Sequence, residues 1–443
     1  MGVRNMATIW QQAEELKDEM VERRRDLHRH PETGWTEFRT ASMIIGELKK
    51  LGYDVKFGAD VIDEKSMMGV PSEAELADYM QRAINEGADP ELVKKMAGGK
   101  TGIVATLKTD KPGKTVAFRF DMDCNDVEEE RCDEHRPTKE GFASEHKKAM
   151  HACGHDMHTA ILLGTAAILK QNADTLPGTV KLFFQPSEET IGGAKQMIDA
   201  GCLEDPHVEN VIALHVDPMT DLGKLKFTKG CMNAATTEME LTVRGKACHG
   251  AHPDTGIDVL PPACSIVAAL QTIVSRNLAP TTPAVVTVGT FQSGTAKNVI
   301  SGEAKLGGTI RALDLDVMAY LKKRVQKIAV DTAEAYGTSC EVFFEDSYPP
   351  LRNSDELSAL LLPAMEEVFG TENILRNEIP SLGADDFSYF TQTCRGLYFD
   401  LGTHDPCSDE YFPLHSEHFA PQEEAVKVGM LAELTAVYTI LHG

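Results

Sequence analysis

The chain has 443 residues, 42% apolar and 25% charged, the balance of an ordinary globular protein, and its length predicts two or three domains. Acidic residues outnumber basic ones by 68 to 44, a formal charge of -24 that would repel nucleic-acid phosphates, so no DNA or RNA partner is expected. Ten cysteines without framework spacing or a CxxC pair read as reduced thiols in a cytoplasmic protein.

The first residues lack an apolar h-region, so no secretory signal is expected, and Met6 breaks the myristoylation pattern that Gly2 would begin. No apolar run approaches the roughly 18 residues that a membrane span needs. Residues 7–30 and 36–51 read as helices, the second carrying Phe38, Met43, Ile44 and Leu48 at helical spacing. A helical insert follows between Gly58 and Gly99, where Pro71-Ser72-Glu73 opens one helix and Asp89-Pro90-Glu91 another. From Thr101 the texture changes to short apolar runs, IVATL, TVAFRF, TVKLFF and NVIALHV, with helical stretches between several of them. That alternation predicts an α/β sheet covered on both faces. The charged, histidine-rich stretch 128–148 has no clear periodicity and reads as a loop.

Residues 235–347 form a pattern of their own. TEMELTV, AVVTVGTF, EAKLGGTI and CEVFF read as strands. Ala263, Ile266, Val267, Leu270, Ile273 and Val274 mark one helix, and Leu321, Val325 and Ile328 another. The order β-α-β-β-α-β is the ferredoxin-like arrangement, expected as a domain inserted into the first, which spans 1–234 and 348–443 and ends on a helix near 421–441.

The densest chemical signal is HACGHDMHTA, residues 151–160, with Cys153 and His155 two apart and Asp156 and His158 close behind. A thiolate and an imidazole just before a helix suit a transition metal, and the helix dipole would favour the thiolate. A histidine-rich loop with one buried cysteine would read the same way. In LFFQPSEET a buried strand ends at Pro186, followed by Glu188 and Glu189. One carboxylate could bind metal while its neighbour holds a water, though a solvated acidic helix start is the commoner meaning. His215 closes NVIALHV, His415 and His418 lie in FPLHSEHF after the strand LYFDL, and GKACHGAHPDTG carries His249 and His252. Each is weak alone. Together they supply Cys, His, Glu, His and His at strand ends, where α/β sheets build their sites. No GxGxxG after a strand, Walker loop, GxSxG elbow or HExxH is present. Cys153 as a nucleophile with His215 as its base would leave the Glu pair and the other histidines unexplained.

With these motifs in hand, the chain resembles the dinuclear metallohydrolases that include aminoacylase, carboxypeptidase G and succinyl-diaminopimelate desuccinylase. It is most similar to their branch of N-acyl-amino-acid and indole-acetyl-amino-acid hydrolases. The resemblance rests on RDLHRHPETGWTE, FDMD, HACGHDMHT, FQPSEE, the strand with His215, GKACHG, NVISGEAKLGGTIR, GADDFSYF and LHSEHF, in order along essentially the whole chain. The insert 58–99, the stretch 128–148 and RPTKEGFAS resemble the p-aminobenzoyl-glutamate hydrolase A-subunit branch in particular, and AHPD follows His249 where common members carry AMPH.

The resemblance implies a catalytic α/β/α domain with a mixed sheet, interrupted by a ferredoxin-like (βαββαβ) dimerisation domain. It implies two divalent metal ions, Mn2+ or Zn2+, held by Cys153, His155, Glu189, His215 and His415, with Cys153 bridging. Glu188 would be the general acid/base and Asp123 would orient a ligand histidine. His249 and Asn298 would reach a partner subunit's site, and Arg311 and Gly383 would join Asn298 in binding substrate. The implied reaction is cleavage of the amide of an N-acyl or N-aroyl amino acid by a metal-bound hydroxide, in a homodimer or a heteromer with a related chain. The alternatives are a dipeptidase, a cysteine-nucleophile amidase and a non-catalytic metal-binding subunit.

Overall fold

The computed structural model describes residues 3–443 and divides into two compact units. The first takes in the chain to Gly230, Arg352–Glu378 and Tyr389–Gly443; the second takes in Cys231–Leu351 and Ile379–Ser388. The first unit begins with helices α1 (Val3–Arg29) and α2 (Phe38–Leu51), strand β1 (Asp54–Phe57), and helices α3 (Glu73–Asn85) and α4 (Pro90–Lys95). Strands β2 (Ile103–Lys108) and β3 (Thr115–Asp121), helix α5 (His155–Gln171) and strands β4 (Thr179–Gln185), β5 (Asn210–Asp221) and β6 (Leu225–Thr228) follow.

The second unit carries β7 (Ala235–Arg244), β8 (Cys248–His249), α6 (Leu260–Thr272), β9 (Ala284–Ser293) and β10 (Val299–Ile300). It continues with β11 (Glu303–Ala312), α7 (Leu315–Ala335) and β12 (Ser339–Asp346). The chain returns through α8 (Asp355–Phe369), β13 (Ile374–Asn377), β14 (Arg395–His404) and α9 (Ala425–His442).

In the first unit eight strands form one mixed sheet in the order β1-β2-β4-β3-β5-β14-β6-β13. Its centre, β4-β3-β5-β14, is parallel, so the carboxyl ends of these four strands gather on one edge. Every residue of β3 and β4 is buried, as a strand covered on both faces requires. The insert folds as its caps dictate: Ser72 and Glu75 make a reciprocal capping box on α3, and Asp89 accepts the Glu91 N–H before Pro90 starts α4. The second unit's sheet runs β9-β11-β7-β12, with α6 and α7 sharing its apolar core, as the ferredoxin-like order predicts.

Four expectations are corrected. The stretch 128–148 is not plain loop: it contains a helical turn, Arg136–Lys139, and is tied down by hydrogen bonds to Arg29, Pro31, Glu86 and Pro421. His215 does not end its strand, because β5 continues against β14 as far as Asp221. Residues 379–388 group with the second unit. There Ala234 N–H donates to Gly383 O, Ser381 N–H to Met232 O, and Arg311 to Leu382 O. Finally, α9 is long and apolar enough, by length and composition, to cross a membrane. Its side chains are apolar nearly all round because it is packed inside the first unit, with Met430, Leu431, Leu434 and Val437 fully buried.

Candidate metal centre

The parallel strands bring their carboxyl ends to one place, and the connections leaving them carry the donors. Between Cys153 and His155 the backbone turns into α5 at Gly154, whose φ is 82°. A Cβ there would lie 2.4 Å from Val216 Cγ2, so only glycine fits the turn. Glu188 and Glu189 follow β4 in the short turn Glu188–Ile191. His415 comes from the loop after β14, where its N–H donates to Ala152 O at 2.9 Å. His415 and Ser187 both hold left-handed φ values, 65° and 60°, a cost that non-glycine residues bear mostly at functional sites.

The donor atoms fall into overlapping sets, each with all atoms within 4.8 Å of one another. Cys153, His155 and His215 form one, Cys153, Glu189 and His415 a second, and His155, Glu188 and Glu189 a third. Cys153 belongs to the first two, and its Sγ lies 3.4 Å from His215 Nε2. Glu189 Oε1 lies 3.3 Å from His415 Nε2 and 3.7 Å from His155 Nε2.

The hydrogen bonds behind these donors fix which ring nitrogens face inward. His215 Nδ1–H donates to Val216 O at 2.8 Å, leaving the Nε2 lone pair toward Cys153. His155 Nδ1 sits 3.3 Å from Asp123 Oδ1, and its Nε2, fully buried, has no hydrogen-bond partner. Asp123 also receives the N–H groups of Glu188 and Glu189 at 3.1 and 2.9 Å. His158 has no nitrogen to spare: Nδ1–H donates to Asp121 at 2.6 Å and Nε2 accepts the Val216 N–H at 3.0 Å. Burial, only partly offset by Asp121, lowers its pKa to about 4, consistent with a neutral ring that braces β3, β5 and α5. Asp156 likewise turns away, 2.7 Å from Arg24 Nε and 2.8 Å from His28 Nδ1.

The electrostatics fit a cation. Burial opposes charge on His155, yet Asp121, Asp123 and Glu189 raise it to about 10. Burial would likewise raise Glu189, but His415 and His155 hold it at about 2. The same carboxylate field that holds a proton on His155 favours a divalent ion. Cys153 corrects a sequence expectation. Burial, together with Glu189 and Glu188, pushes its thiol well above the ordinary value, outweighing any help from the α5 dipole. A thiolate at this position needs positive charge beside it, and the unpartnered, buried Glu189 Oε1 and His155 Nε2 are donors of the kind such an ion takes.

The remaining sequence candidates lie elsewhere. His418 is near His135, with ring centroids 6.2 Å apart, and groups with Glu130 and Glu417. His249 and Asn298 belong to the second unit, where the exposed His249 pairs with Val299 across β8 and β10, and Asn298 O accepts the Gly250 N–H. His252 is its ring neighbour at 5.8 Å. In the same unit Arg311 stands on β11 and donates to Leu382 O at 2.7 Å, one residue before Gly383. Sequence reasoning missed Asp121, whose spacing of two from Asp123 in FDMD was the available signal. It also missed Glu37, which accepts the Ser187 N–H from 150 residues away.

Comparison with known proteins agrees with this geometry. Residues 117–437 match the model of Peptidase family M20/M25/M40. The chain is 42% identical over 330 residues, 74% of each chain, to an indole-3-acetyl-aspartic acid hydrolase of Enterobacter agglomerans. It is 36% identical over 383 residues, 86% of each chain, to the A-subunit of p-aminobenzoyl-glutamate hydrolase from Escherichia coli strain K12. Among solved structures it superimposes on the YXEP protein of Bacillus subtilis, described as a dinuclear metal binding peptidase from the M20 family. The TM-score is 0.75 at 25% identity, covering 97% of this chain and 99% of that one. A family match over most of the length, two relatives above 30% identity and a shared fold lead to one assignment: the chain belongs to Peptidase family M20/M25/M40.

Proposed function

We propose that the chain hydrolyses the amide bond of N-acyl or N-aroyl amino acids at a dinuclear metal centre held by Cys153, His155, Glu189, His215 and His415. The observation that carries this reading is the convergence of these five side chains around a shared Cys153, with Glu188 beside them. Two divalent cations bound there would polarise the scissile carbonyl and draw the pKa of a water toward neutrality. Glu188, half-buried and anchored through its backbone to Asp123, takes the proton of the attacking water and delivers it to the leaving amine. Asp123 keeps the Nδ1 proton on His155 so that Nε2 faces the ions. Manganese and zinc both suit a set of one thiolate, three imidazoles and one carboxylate.

For substrate we favour an aromatic acyl group on an acidic amino acid, because the names of both relatives, indole-3-acetyl-aspartic acid hydrolase and p-aminobenzoyl-glutamate hydrolase, join those two parts. The net charge of -24 disfavours a dianion at long range, but screening beyond about 10 Å leaves local geometry, and Arg311, to decide. We further infer a cytoplasmic enzyme that acts as a homodimer, or as a heteromer, since the Escherichia coli relative is named as one of several subunits. In either assembly His249 and Asn298 would complete a second chain's site.

The test is turnover of a panel of N-acyl amino acids, aroyl-glutamates first, by protein loaded with manganese or zinc, stripped by chelation, and reloaded. Loss and recovery of hydrolysis with metal supports the reading. Unchanged activity in a verified metal-free preparation overturns it in favour of a Cys153 nucleophile. Full metal occupancy without turnover of any substrate would instead indicate a non-catalytic role.

A further inference from the structure

The direction of the Glu188–Glu189 pair is set by a backbone turn, and that turn is held by two carboxylates from distant segments. Ser187 has φ 60°, a left-handed conformation that a residue with a Cβ keeps only when its surroundings impose it. Three successive N–H groups of the turn point at buried carboxylate oxygens. Ser187 N–H meets Glu37 Oε1 at 2.8 Å, Glu188 N–H meets Asp123 Oδ1 at 3.1 Å, and Glu189 N–H meets Asp123 Oδ2 at 2.9 Å. Glu37 is itself fully buried and fixed from two further sides, by the Trp35 N–H at 3.1 Å on Oε1 and the Thr101 hydroxyl at 2.7 Å on Oε2. The space is as tight as the bonding: a Cβ on Gly34 would lie 2.3 Å from Thr190 Oγ1 and 2.7 Å from Ser187 Oγ.

We propose that Glu37 is a positioning residue of this site: it locks Ser187 in its left-handed conformation and, with Asp123, aims Glu188 and Glu189 at the metal donors. The inference rests on the roles given above to Glu188 and Glu189. Glutamine at position 37 keeps the arrangement, because its carbonyl accepts from Ser187 and Trp35 while its amide nitrogen faces the Thr101 oxygen. Alanine keeps none of it.

Glu37→Ala and Glu37→Gln are therefore compared by three measurements. Amide hydrogen exchange over residues 186–193 needs neither metal nor activity, and alanine should lose protection about tenfold or more while glutamine retains it. Cobalt(II) titration, followed by thiolate-to-cobalt absorption, should show affinity weakened about tenfold in alanine only. At saturating metal, kcat should fall about 10–100-fold in alanine with KM changed less than about threefold, and glutamine should recover most of it. Adding Ser187→Gly to Glu37→Ala should restore part of the loss, since glycine takes positive φ unaided. Should Glu37→Ala fail to fold, Thr101→Val, which removes one hydroxyl, should move all three readouts less but in the same direction. The proposal is overturned if exchange, cobalt affinity and kcat are unchanged in the folded alanine variant, or if glutamine is as impaired as alanine. A wild-type protein inactive on every acyl-amino acid would remove the proposed function, while exchange and cobalt binding would still decide the role of Glu37.

Discussion

His146 Nε2 lies 2.8 Å from Glu86 Oε1, joining the stretch 128–148 to the end of α3 in the insert 58–99. The other ring nitrogen donates to Pro31 O at 2.7 Å. The two segments in which the sequence departs from typical relatives are thus bonded to each other. His146→Ala should cost about 0.5–1.5 kcal/mol by chemical denaturation and raise amide exchange in both stretches. Faster exchange in 128–148 alone would mean that the contact does not couple them.

Glu188 and Glu189 should separate by role. Glu188→Gln is expected to bind two metals and lose turnover by a factor on the order of 10²–10⁴. Glu189→Gln should lose metal instead, because Glu189 Oε1 stands between His415 and His155. Metal analysis giving the reverse pattern would exchange the two assignments.

Arg311 commits one N–H to Leu382 O and has further donors on its guanidinium. If it reads the substrate carboxylate, Arg311→Ala should lower kcat/KM by about 1.5–3 kcal/mol. The matching methyl ester should be a poor substrate for wild type and indifferent to the change. An ester cleaved as well as the acid would remove this role.

His249 sits in the second unit, and the proposal that it serves another copy can be checked by complementation. Mixing inactive Glu188→Ala with inactive His249→Ala chains should regenerate some activity, since one site of a mixed dimer would hold both wild-type residues. Confirmed exchange of chains without recovery would place the whole site within one chain.

Glu433 of α9 is fully buried among the apolar side chains of the first unit. Burial raises its pKa well above 4.5, with only the Thr165 hydroxyl opposing. Below about pH 4.5 the group is neutral in folded and unfolded chains alike; as pH rises, only the unfolded chain ionises, so stability falls until the folded pKa is passed. Glu433→Gln should therefore raise Tm at pH 7 to 8, with the advantage shrinking toward pH 4. An advantage independent of pH would point to packing rather than ionisation.

Periodicity and caps made much of this architecture legible. Fully apolar runs became the central strands, Ser72 and Asp89 became helix caps, and the alternating segment became the second unit's sheet. These features are local, set by side-chain spacing and by the orphan N–H groups of helix ends. The motif HACGHD and the adjacent glutamates could likewise be found without coordinates, because donor types at short spacing suffice to flag a metal.

What the sequence left open are relationships across long stretches of chain. Asp156 and His158 look like ligands beside His155, but α5 turns one toward Arg24 and the other toward Asp121. Residues 379–388 read as part of the first domain, yet their hydrogen bonds to Met232, Ala234 and Arg311 place them in the second unit. Glu37 looks like one acid in a helix start, and only folding puts its carboxylate on Ser187. Spacing along the chain determines which face of an element a side chain occupies, whereas the group that satisfies it is decided by which strands become neighbours in the sheet.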